Sequence, residues 1–194
     1  MTATAAPFGL MPARKLGQAV NNEGVSTYRI VNAFAGNIFT GDLVRLNTVN
    51  GTITAVSTSA NQGIGVFLGC QYNDPSNNNR PRWNTYWPTG TSVTDGSQPV
   101  CFVKDDPWVT FFIQADASVS VGDIGSTFSV SVSAGNTTTG QSRYSLNAGS
   151  RSLNNNHLQM IDIKDIPGNV LSDAFPIVEV LIKNHFYNSA SIAA

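Results

Sequence analysis

At 194 residues the chain is one large domain or two small ones, long enough to bury roughly two-thirds of its unfolded surface. Charged residues make up only 12%, and 11 Lys and Arg stand against 12 Asp and Glu for a net charge of −1. That balance lacks the basic surplus with which a nucleic-acid binder neutralises phosphates; solubility falls instead to 20 Asn, 19 Ser, 17 Thr and 17 Gly.

The N-terminal sequence MTATAAPFGLMPARK has neither a basic leader nor a continuous apolar core, so it does not read as a secretory signal. No run approaches the about 18 apolar residues of a membrane-spanning helix. Residues 1–23 read as an extended N-terminal arm. VSTYRIVNAF (25–34), DLVRL (42–46), TITAV (52–56) and IGVFLG (64–69) then follow as strand-like runs rich in β-branched and aromatic residues. Asn50-Gly51 between two of them is a hairpin signal, because both residues tolerate positive φ. Without export, the glycosylation sequons at Asn50 and Asn136 carry no meaning.

Residues 72–98 interrupt the strands with a long loop whose centre, YNDPSNNNRPRWNTYWPTGT, is aromatic and proline-rich. QPVCFVKD (98–105) and PWVTFFIQ (107–114) resume the strand pattern. STFSVSVS (126–133) shows a period of two, with Phe128, Val130 and Val132 on one face and serines on the other. Residues 134–156 are polar and irregular. HLQMIDI (157–163) is an apolar run, and FPIVEVLIKNHF (175–186) places Val178, Val180 and Ile182 on one face; 188–194 form a tail. Helix is expected only as short turns near 14–20 or 172–174. The fold class is all-β: an antiparallel β-barrel or sandwich core over 24–187, with the arm, long loops and tail around it.

The search for chemistry returns little. His157 and His185 have no His, Cys or acidic residue at metal-ligand spacing and read as strand-end residues. Lys104-Asp105-Asp106-Pro107 has acid–base groups that Asp116 would complement, but Asp and Pro read first as turn formers. Asp74-x-Ser76-x-Asn78 begins like a calcium loop, yet Asn79 and Thr85 stand where the Gly and Glu are required. No catalytic residue, cofactor or metal is expected. Cys70 and Cys101 read as reduced, part-buried thiols; a disulfide tying the ends of the long loop remains the alternative.

Within the loop, Arg80, Arg82, Trp83, Tyr86 and Trp87 combine the residue types of protein–protein hot spots, on a backbone stiffened by Pro75, Pro81 and Pro88. Base stacking lacks cations, a sugar platform is the competing use, and a plain cover over one end of the barrel is the simplest.

The unit from GNIFTGDLVRLN to GIGVFLGCQYND (36–74) and the arm sequence APFGLMPARK resemble tailed-bacteriophage capsid decoration, or cement, proteins across about 6–106. The resemblance implies a non-enzymatic virion structural protein that stabilises a capsid from outside, after assembly in the host cytoplasm. The major capsid protein and copies of itself would be its partners, with no nucleic acid and no membrane. It also implies that Phe8, Leu10 and Met11 grip neighbouring subunits. The long aromatic loop departs from the minimal barrel of that class. The alternative is a carbohydrate- or receptor-binding β-domain of a fibre or spike.

Overall fold

The computed structural model describes residues 4–17, 24–57, 62–153 and 156–188. The described residues contain strands, bridges and short 3-10 turns and no α-helix.

Strands β1 (Met11–Lys15), β2 (Val25–Arg29), β3 (Ile38–Phe39), β4 (Leu43–Asn47), β5 (Thr52–Ala55) and β6 (Gly65–Asp74) fill the first part of the chain. The Asn50-Gly51 turn joins β4 to β5 as a hairpin. β7 (Arg80–Asn84), β8 (Tyr86–Trp87), β9 (Val100–Lys104) and β10 (Val109–Gln114) follow. β4, β5, β2, β9 and β6 then close into a five-stranded barrel, because β6 pairs with β9 along most of its length and with β4 at its start. Closure brings the backbone of β6 against β9, and a Cβ at Gly65 would collide with the carbonyl of Lys104. β7 extends the sheet beyond the barrel through its pairing with β6.

The last strands are β11 (Thr127–Phe128), β12 (Val130–Ser131), β13 (Ser145–Leu146), β14 (Leu158–Ile163) and β15 (Ile177–Ile182). They complete a second sheet of order β1-β10-β15-β14-β11 and a small β12-β13 pair. Strand alternation sorts the apolar residues into two cores. Val44, Phe67, Cys70, Cys101 and Val103 fill the barrel. Leu43 and Val66 face outward from it and pack with Phe111, Ile113, Val178 and Val180 of the second sheet. The barrel wall is thereby the shared layer between two cores.

Four sequence expectations change in the structure. Part of the expected arm is a sheet strand: β1 pairs with β10, and Leu10 is only 2% exposed in the second core. Gly9 and Leu10 donate their N–H groups to Tyr144 and Gly41, which fastens the segment to the chain's own loops. The expected loop at 72–98 begins as a hairpin, with β6 running to Asp74 and β7 returning in register from Arg80. STFSVSVS is broken at Ser129, because β11 pairs with β14 while β12 turns to pair with β13; Val132, expected inward, is 49% exposed. No helical turn forms at 14–15, which lie in β1, and 172–174 are turn and bend. The remainder of the expected arm, 1–3 and 18–23, and of the expected tail, 189–194, lies outside the described residues.

Candidate functional site

The β6–β7 hairpin is built around one carboxylate. Asp74 Oδ1 accepts from Ser76 N–H (2.9 Å) and from its hydroxyl (2.6 Å), turning the chain through Pro75–Asn77. Asn78 and Asn79 continue it in left-handed backbone, φ 53° and 54°, a conformation that asparagine tolerates better than most residues. Asp74 Oδ2 accepts from Arg82 Nη1 at 2.9 Å across the hairpin. The Ser76 and Arg82 hydrogen bonds hold the carboxyl below its usual range. Both oxygens of the sequence's calcium-like Asp are therefore occupied by the turn itself.

Trp83 is the exposed aromatic of the hairpin, at 55%. Its indole lies against Gly69 of the neighbouring strand, where a Cβ would sit 2.8 Å from a ring carbon. Phe102 flanks it with ring centroids 4.8 Å apart. One flank of the indole is thus held by the barrel wall, and the side chain is fixed before any partner arrives. Arg80 and Arg82 are also exposed, on the opposite face of β7 by strand alternation. Asn73 is braced by donating to Asp95 at 2.6 Å.

Of the eight residues expected to make contacts, the structure leaves five at or near the hairpin and separates the others. Trp87 is fully buried in the barrel core, edge-on to Tyr72 at 5.4 Å. Tyr86 is half-buried and stacks on Phe39, also at 5.4 Å. Leu10 is core, Phe8 is half-buried, and Met11 alone of the arm set is exposed, at 43%. Leu10 and Trp87 therefore leave the contact set: their apolar surface is already spent within the chain.

The remaining sequence candidates have structural positions. His157 and His185 are buried just outside β14 and β15, and no cluster of three His, Cys, Asp or Glu forms a metal site among the described residues. Asp106 accepts from Trp108 N–H at 2.9 Å and pairs with Lys15 at 2.6 Å, shaping the β9–β10 turn; Asp116 accepts from Ala148 N–H at 2.9 Å. Cys70 and Cys101 are free, buried and directly opposite one another on β6 and β9.

Gly69 and Phe102 were not legible as site residues. The signal for Phe102 was alternation along β9, which sends it outward once Cys101 and Val103 face the core; Gly69, on β6, had none. No protein-family model, no curated protein and no solved structure matches this chain. What stands without them is the class: an all-β protein on a closed five-stranded barrel.

Proposed function

We propose that the protein is a non-enzymatic virion structural protein that decorates a phage capsid and stabilises it by binding between major capsid subunits. The observation that carries this is the β6–β7 hairpin at the edge of a closed barrel, which presents a pre-positioned Trp83 on one face of β7 and two exposed arginines on the other. Trp and Arg dominate interface energetics, and a side chain already held in place loses little entropy on binding. The partners in this reading are the major capsid protein and further copies of this chain, on the capsid exterior. Contact would run through Trp83, Arg80, Arg82 and Met11 rather than through a free arm.

The test is the copy number of the protein in purified particles relative to the major capsid protein, followed by attachment of Trp83→Ala. A ratio near one to one, and attachment at least about 30-fold weaker for a hot spot of 2 kcal/mol, are expected. Absence from particles refutes the proposal.

The exposed indole also favours a second reading, a carbohydrate- or receptor-binding domain of a fibre or spike, since a fixed tryptophan face suits stacking on a sugar. Saturable quenching of tryptophan fluorescence by glycans, lost in Trp83→Ala, together with only a few copies per particle, would replace the first reading with this one.

A further inference from the structure

Cys70 and Cys101 are the only cysteines of the chain. They stand opposite each other on β6 and β9, where those strands close the barrel. Both are free, fully buried and turned into the barrel core.

The backbone hydrogen bonds fix what kind of pair they form. Phe67 donates its N–H to the Asp42 carbonyl at 3.0 Å and accepts from Gly41 N–H at 2.9 Å. Both backbone groups of Phe67 therefore point away from β9, and its pairing with Val103 is a non-hydrogen-bonded one. β9 runs against β2 without irregularity, so Cys101, two residues before Val103, keeps the same orientation. Cys70 and Cys101 are then also a non-hydrogen-bonded pair, the closer of the two antiparallel types, with Cα atoms about 4.5 Å apart. Disulfides span Cα separations of about 4.4–6.8 Å, so the strands already stand at bonding distance. Cys70 Sγ donates weakly to the Tyr86 carbonyl at 3.5 Å, and a disulfide would exchange that contact for an S–S bond.

We infer that Cys70 and Cys101 are a redox pair, which closes a cross-strand disulfide when the chain folds or opens in the presence of a small disulfide oxidant. One thiolate attacks a sulfur of the oxidant, oxidised glutathione for example, and expels one glutathione thiolate. The second cysteine attacks the mixed disulfide and expels the other. Two cysteine thiols become one disulfide, and the two electrons and two protons they lose end on two glutathione thiols. Burial raises both thiols above their usual range, so exchange waits for opening of the backbone and does not run on the closed barrel. The bond closes a ring from 70 to 101 that holds β7, β8 and Trp83. With the thiols reduced, sheet pairing alone joins β6 to β9 beneath the Trp83 hairpin; oxidation makes that link covalent. The inference does not depend on the capsid reading.

The test refolds the reduced full chain from urea at pH 8 in mixtures of oxidised and reduced glutathione, with intact mass and peptide mapping as readouts. The expected product is a monomer lighter by two hydrogens, with 70 joined to 101. The exchange constant against glutathione should be about 100-fold larger in native buffer than in urea, because a bond that fits the fold is favoured by folding to the degree that it stabilises the fold. The oxidised chain should accordingly unfold at higher urea than the reduced one. Cys101→Ala and Cys70→Ala should show no stabilisation by oxidised glutathione. An exchange constant no larger in native buffer than in urea means that the core must be prised apart to make the bond, and overturns the inference. So does a product made mainly of disulfide-linked dimers, or an oxidised chain that unfolds at lower urea.

Discussion

Asp42 offers the sharpest test of the fold's energetics. It lies in the turn before β4, 2% exposed, with Oδ2 accepting from Phe39 N–H at 2.8 Å. Oδ1 is buried without a hydrogen-bond partner among the described residues. Burial raises the carboxyl from 3.8 to about 6, against the opposing pull of the Phe39 N–H and the Ser142 hydroxyl. A folded value above the unfolded one means that the native state holds its proton more tightly. Stability is then favoured below pH 4 and lost as pH rises through about 6, by about 3 kcal/mol in all. Asp42→Asn removes the titration while keeping an oxygen for the Phe39 N–H. Urea unfolding of both proteins from pH 4 to 7.5 measures it: the stability of the variant relative to wild type should rise by about 3 kcal/mol across that window. Other groups titrate nearby. Burial lowers His185, whose contribution is lost as pH falls below 6.5; Asp74 and Asp95, lowered by hydrogen bonds, lose theirs below 3.8. These are common to both proteins and cancel in the difference. A difference that stays flat across the window refutes the account of Asp42.

Three further expectations follow from packing and burial. Gly69→Ala places a methyl group 2.8 Å from the Trp83 ring and 3.0 Å from the Asn84 carbonyl oxygen, at φ +147°; it should cost about 2 kcal/mol or more and shift tryptophan emission, and melting like wild type would mean the indole is not seated there. Leu10→Ala should lose about 2–5 kcal/mol in urea unfolding, whereas a freely hanging arm would lose nothing. Burial pushes the Cys70 thiol up to about 12 and raises Cys101 as well, so at pH 8 about one Cys70 in ten thousand is thiolate. Labelling by a disulfide reagent should therefore be slow in native buffer and complete in urea; two thiols reacting within the mixing time would contradict the buried position.

The all-β class was legible because its rule is local; barrel and sandwich stayed open, because closure through β6 on β4 and β9 is not local. Val44, Phe67 and Val103 alternate with outward neighbours, and Asn50-Gly51 supplies a turn that only a few residue pairs permit. The hairpin was legible only in composition. Arg80 to Trp87 read as one aromatic contact set, but a strand sends successive residues to opposite faces, and sequence does not say which face lies under a lid. Trp87, in β8, pairs across to Ile38 and enters the core, while Trp83 stays outside because Gly69 leaves room for its ring. Two tryptophans four residues apart thus divide between stability and contact on the strength of one glycine and one two-residue strand. The strand at 11–15, within the expected arm, was missed for a related reason. APFGLMPARK has two prolines and a glycine, which argue against regular structure, yet its partner β10 lies about a hundred residues away, and a pairing over that separation leaves no trace in either segment alone. Interactions set by long-range closure are where the proposed function now rests, so the decisive experiments are those that separate Trp83 from Trp87.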